Sequence, residues 1–189
     1  MNIDQAIKKA SVDLKRYQIK SALLDCEILM SKALNKSRKF IIMNPNEKIN
    51  DYEYHNFRAF ISSRIKRKPI AYITGEKSFW KYNFKINEKV LIPRPDTEII
   101  VEQVFKIYEK KRSINFLEIG IGSGCIILSI LKEKKSFLGK GIDVSKESLK
   151  VCKENANKLG LLNRLKLFNS DIDNFHLGKY DLIISNPPY

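Results

Sequence analysis

Three glycines at alternate positions close a short apolar run: Phe116-Leu117-Glu118-Ile119-Gly120-Ile121-Gly122-Ser123-Gly124. Glycine lets backbone pass close beneath a ligand, where a Cβ atom would collide. The spacing is GxGxG rather than the GxGxxG of dinucleotide sites, which disfavours a pyrophosphate on the following helix. Alone, such a loop can be no more than a tight strand-to-helix turn. A second feature adds meaning. Gly141-Ile142-Asp143-Val144 carries a carboxylate 23 residues beyond Gly120, about where an acidic residue accepts the hydroxyl hydrogens of a ribose. Asp143 could instead cap the next helix. Taken together, the two features point to a nucleoside-bearing cofactor. Asp171, after a third apolar run, could accept from an adenine amino group or serve as a loop cap. The last residues are Asn186-Pro187-Pro188-Tyr189. Prolines fix φ and remove donors, leaving a stiff loop with exposed carbonyls. The side-chain oxygen of Asn186 and the carbonyl of Pro187 would form a pair of acceptors able to grip an –NH2 group, and Tyr189 could pack on a flat substrate.

These groups need a scaffold. From Ser113 the sequence alternates strand and helix: strand 114–119, helix 124–132, strand 137–142, helix 146–159, then strands 165–168 and 181–185. That alternation specifies a parallel sheet flanked by helices, with ligands at the carboxyl ends of the strands. Residues 1–68 read as helices, with Ile3, Ile7 and Ala10, then Leu23, Leu24 and Ile28, at helical spacing. Asn50-Asp51 can cap a third helix that carries Phe57, Phe60, Ile61 and Ile65. Residues 71–92 read as short β-runs at 72–73, 78–86 and 89–92, separated by Gly75 and Asn87-Glu88, which predicts a hairpin. After Pro93-Arg94-Pro95, Asp96 is the expected cap of a helix reaching about Lys110.

The elements EIGIGSG, GIDVS and SNPPY resemble those of class I S-adenosylmethionine methyltransferases. More selective are Pro69-Ile70-Ala71-Tyr72-Ile73-Thr74-Gly75, Phe79-Trp80 and Leu91-Ile92-Pro93-Arg94-Pro95-Asp96-Thr97-Glu98. With them the whole chain resembles the PrmC/HemK family, which methylates the glutamine side-chain nitrogen in the GGQ motif of peptide chain release factors. The implied fold class is α/β. An incomplete Rossmann-like parallel sheet is preceded by a small α-helical N-terminal domain and a β-hairpin linker. The implied domains are 1–70 for release-factor recognition, 71–95 as linker and 96–189 as the first half of the methyltransferase domain. The resemblance implies S-adenosyl-L-methionine as cofactor, with Glu118, Gly120, Ile121, Gly122, Ser123 and Gly124 on its methionine part. Asp143 would take the ribose, and Asp171 and Ile172 would flank the adenine. Asn186, also counted among the cofactor contacts, would bind the glutamine amide with Pro187, Pro188 and Tyr189, and Arg94, Thr97 and Glu98 would brace them. A sheet of this family has seven strands, so four after residue 113 predict a fragment with little activity alone.

Composition sets the outer bounds. The 189 residues carry 35 Lys+Arg against 21 Asp+Glu, a net charge of +14. That charge invites a nucleic-acid partner, and an amino methyltransferase acting on nucleic acid is the competing function. However, only eight of the 35 cations are Arg, the residue suited to bidentate phosphate and guanine contacts. The 26 Ile and 15 Asn fit compositional drift equally well. The densest basic cluster is Arg64, Lys66, Arg67 and Lys68. A catalytically inactive remnant that still docks on release factor is a third possibility. No apolar run approaches the ~18 residues of a membrane span. Three cysteines without CxxC spacing exclude a disulfide framework and a Cys-based metal site. The expectation is a cytoplasmic monomer with no metal. His55 and His176 read as structural or surface residues.

Overall fold

The computed structural model describes residues 1–187; Pro188 and Tyr189 lie outside the described residues. The chain divides between Thr74 and Gly75 into two compact units.

The first unit is helical: α1 (Ile3–Arg16), α2 (Ala22–Leu34), α3 (Arg38–Met43), α4 (Asp51–Ile65) and α5 (Ile70–Thr74). Asn2 with Gln5 and Asn50 with Glu53 form reciprocal capping boxes at the starts of α1 and α4. The core gathers Ile3, Ile7, Leu14, Leu29, Met30, Phe57 and Ile61. Leu23 and Leu24 stand exposed, and α2 instead buries Ala22, Asp25, Cys26, Leu29 and Met30. Buried Asp25 is admitted because Arg64 on α4 donates to it at 2.7 Å. Arg67 donates to the Tyr17 carbonyl at 2.7 Å. Two members of the basic cluster are thus engaged in holding this unit together. Residues 72–73, expected as β, are helical because Ile70 and Ile73 pack on the helical core.

The second unit opens with a hairpin, β1 (Glu76–Phe79) and β2 (Tyr82–Lys85). Its reversal falls at Trp80-Lys81, not at Asn87-Glu88. Trp80 adopts φ 56°, and the Glu98 carboxylate accepts its N–H at 2.8 Å. A partner distant in sequence stabilises a turn that bulky residues would not choose. Residues 89–92 form no strand. Asp96 does not cap the next helix: Pro95–Thr97 is a 3₁₀ turn, and α6 (Glu98–Ile107) begins without a side-chain cap.

Then come β3 (Asn115–Ile119), α7 (Cys125–Glu133), β4 (Leu138–Asp143), α8 (Lys146–Leu159), β5 (Leu165–Asn169) and β6 (Leu182–Ser185). The four strands form one parallel sheet in the order β5-β4-β3-β6. Phe116, Ile127, Leu128, Leu131 and Phe137 lie at the centre of its core. The register sets Ile119 opposite both Ile142 and Ser185, and Asp143 opposite Asn169. The connections after β3, β4 and β6 therefore leave one edge together. The chain first builds outward from β3 through β4 to β5, then reverses to β6. A crevice opens at such a reversal, outside the strand ends.

Candidate active site

The loop between β3 and α7 carries three left-handed residues, Gly120, Gly122 and Gly124, at φ 72°, 53° and 78°. A Cβ at Gly120 or Gly122 would meet open space, so what demands glycine there is backbone shape and, in use, close approach of a ligand. At Gly124 the neighbour is the protein itself: a Cβ would stand 2.5 Å from Cys152 Sγ.

Gly124 is also the residue before α7, and it has no side chain to satisfy the helix's free N–H groups. Glu118 takes that role from inside the sheet, accepting from Ile127 N at 2.9 Å. The residue is 3% exposed. Burial dominates and pushes its pKa up to about 8; the Ile127 hydrogen bond opposes this and the nearby Asp143 charge adds to it.

Asp143 closes the loop from the neighbouring strand. One carboxylate oxygen accepts from Gly122 N at 3.0 Å and the other from Ser145 N at 2.8 Å. The helix cap of α8 is Ser145, whose hydroxyl accepts from Ser148 N. A carboxylate offers about four lone-pair sites; two are spent on backbone, and two can accept a pair of hydroxyls.

Asp171 follows β5, the strand beside β4. Its oxygens accept from Asn174 N and Nδ2 at 2.8–2.9 Å, which holds its carboxyl below the usual range. Ile172 is 47% exposed. On the other side, Asn186 Nδ2 donates to Thr97 Oγ1 at 3.3 Å. That bond turns the amide so that Oδ1 remains as its acceptor. Asn186 and Pro187 line a cavity of about 410 Å³ with Leu91, Arg94, Asp96, Thr97 and Ile100. Asn186 also fronts a smaller recess with Glu118, Gly120–Ser123, Cys125 and residues 91–94. The two recesses share Leu91, Arg94, Thr97 and Asn186, so the glycine loop and the Asn186 acceptor open onto one continuous crevice. Pro188 and Tyr189, expected to complete the amide site, lie outside the described residues.

Residues 5–75 match the family model of the PrmC N-terminal domain, and residues 96–189 match that of the methyltransferase small domain. A release factor glutamine methyltransferase of Leptospira interrogans is 38% identical over 97% of this chain, and one of Caulobacter vibrioides is 34% identical over 93%. The chain carries a PrmC N-terminal domain followed by a methyltransferase small domain. It spans 65% and 61% of the length of those two relatives. A bifunctional methyltransferase of Rickettsia conorii is 33% identical over the whole chain, which covers 41% of that protein. The expected α/β architecture, a parallel sheet preceded by a helical unit, is the one observed.

Two groups in this scaffold escape sequence reasoning. Leu91, Ile92 and Pro93 form a wall of the crevice as irregular backbone, where no periodic signal exists. Asn155, in the middle of α8, is buried and binds the carbonyl of Ser123. Its only trace in the sequence is an asparagine where a helix disfavours one. Among the described residues there is no cluster of side chains that could hold a metal, and no helix long and apolar enough to cross a membrane.

Proposed function

We propose that this chain is the part of a protein methyltransferase that transfers a methyl group from S-adenosylmethionine to the glutamine amide nitrogen of the GGQ motif in peptide chain release factors. The observation that carries this is the crevice itself, which Asn186 lines together with the glycine loop, while Asp143 holds that loop by accepting from Gly122 N. The relatives' names supply the substrate. The residues present fit the cofactor: the loop leaves open space above Gly120 and Gly122, and Asp143 keeps two lone-pair sites for a ribose diol. Glu118 lines the same recess and would take the cofactor's methionine part. At the adenine, Ile172 offers apolar surface, and Asp171 would have to share oxygens already given to Asn174.

When bound, S-adenosylmethionine supplies an electrophilic methyl group on a sulfonium. The chain's own part is to make a poor nucleophile adequate. Asn186 Oδ1 and the Pro187 carbonyl accept the two amide hydrogens and aim the nitrogen's remaining electron density at the methyl. Acceptors pointing at a nitrogen that becomes positive stabilise the transition state more than the ground state. Orientation adds up to ~7–11 kcal/mol when near-attack geometry is held. The alkylated nitrogen gives up its proton without a dedicated base. Pro188 and Tyr189 are assigned the remaining faces of the amide. Residues 1–70 serve to recognise the release factor, 71–95 to link, and 96–189 to bind cofactor, in a cytoplasmic monomer.

The test is methylation of a GGQ peptide, intact release factor and duplex DNA or RNA in parallel, with calorimetry of the cofactor. N186A should lower transfer to the glutamine by about 10²-fold or more while cofactor affinity stays within about threefold. Methylation of nucleic acid in preference to the glutamine would overturn the reading.

A further inference from the structure

Asn155 makes three hydrogen bonds from one buried amide. Its Oδ1 accepts from Lys85 N at 2.7 Å, and its Nδ2 donates at 2.9 Å to both Lys85 O and Ser123 O. The residue is 1% exposed. A primary amide carries the same donor and acceptor as a peptide group, so Asn155 acts toward Lys85 as the next strand of the hairpin would. Its second N–H reaches the glycine loop. The far end of the same hairpin is tied as well: Trp80 N donates to Glu98 at 2.8 Å, next to Thr97, whose hydroxyl accepts from Asn186.

We propose that Asn155 is a positioning residue that locks the cofactor loop to the hairpin, so that the hairpin sets the spacing between the cofactor and the Asn186 acceptor. The inference rests on the proposed cofactor for one of its readouts, but not for the other. Neither Ser123 nor Lys85 offers a side chain to the lock, since all three bonds end on backbone. The specificity therefore lies entirely in the amide of Asn155. Asparagine alone can accept from an N–H and donate twice at this reach. Aspartate has the same shape and can still accept from Lys85 N, but ionised it turns an oxygen toward two carbonyls.

The experiment compares N155D, N155A and E154Q in the 189-residue chain. Glu154 lies on the same helix and pairs with the Lys85 ammonium at 2.7 Å, so E154Q controls for a general loosening of α8. The first readout, without cofactor, is amide hydrogen exchange. N155D and N155A should speed exchange at Lys85 and at the loop residues 122–124 by about tenfold or more, with E154Q unchanged. The second readout is calorimetry well below the unfolding temperature, where N155D should weaken S-adenosylmethionine binding by roughly tenfold. If both Asn155 variants fail to fold, the wild-type chain decides: added cofactor should slow exchange at the Lys85 amide as well as at the loop. Wild-type exchange and affinity in folded N155D, or cofactor protection of the loop without Lys85, would overturn the inference. A wild-type chain that binds no cofactor would instead sink the proposed function and leave the exchange test standing.

Discussion

The substitution Glu118→Gln isolates the cost of burying a carboxyl group under the glycine loop. Glu118 is 3% exposed, and burial pushes its pKa up to about 8 from the ordinary 4.5. Between these values the folded chain holds a proton that the unfolded chain has released. Stability therefore falls as pH rises through this window, at ~1.36 kcal/mol per pH unit, and levels off above about 8. The total loss reaches about 5 kcal/mol. The substituted glutamine keeps an oxygen for the Ile127 N–H and carries no charge at any pH. The two proteins should be equally stable near pH 4.5, within about 1 kcal/mol. The variant should lead increasingly up to pH 8 and by a constant margin beyond. Urea unfolding followed by the fluorescence of Trp80, the single tryptophan and part of the same unit, gives the difference at each pH. Titrating groups that do not interact with Glu118 cancel in that difference. Parallel profiles, or a wild type that gains on the variant with rising pH, would refute the assignment. The variant should also bind cofactor more weakly, the usual exchange of stability for a prepared site.

Two further outcomes concern packing. Gly124→Ala combines a left-handed φ of 78° with a Cβ 2.5 Å from Cys152 Sγ, and should cost about 2–5 kcal/mol in chemical denaturation. Adding Cys152→Ala should return the part due to Sγ and leave the backbone part and the 3.0 Å approach to Leu128, a coupling that a double-mutant cycle reads directly. In the helical unit, Asp25→Ala takes from the half-buried Arg64 its 2.7 Å carboxylate and leaves it the Lys68 carbonyl, and should cost about 1–3 kcal/mol by far-ultraviolet circular dichroism melting. Replacing both by apolar residues of similar volume should restore most of it.

What was legible in the sequence is what local rules control. The strand–helix alternation after Ser113 follows from hydrophobic period, and α8 falls at Lys146–Leu159 as expected. The alternate glycines and Asp143 declare themselves by type and spacing. Between residues 71 and 97 the rules fail, because long-range partners decide the backbone. Ile73 is helical through packing on the first unit's core, and Trp80 turns because Glu98 accepts its N–H.

Outside residues 71–97 the sequence by itself therefore determined the kinds of element and their order, and it supplied the candidate residues for a nucleoside cofactor and an amide. Those follow from side-chain period, glycine and proline stereochemistry and donor–acceptor inventory, all properties of short stretches. Only the tertiary structure decided which of those residues meet. Parallel register brings the ends of β3, β4 and β6 to one edge, and Asp171, just beyond β5, accepts from Asn174. Only the tertiary structure revealed Asn155 at all, because its three partners are backbone groups, and backbone carries no signature in a sequence.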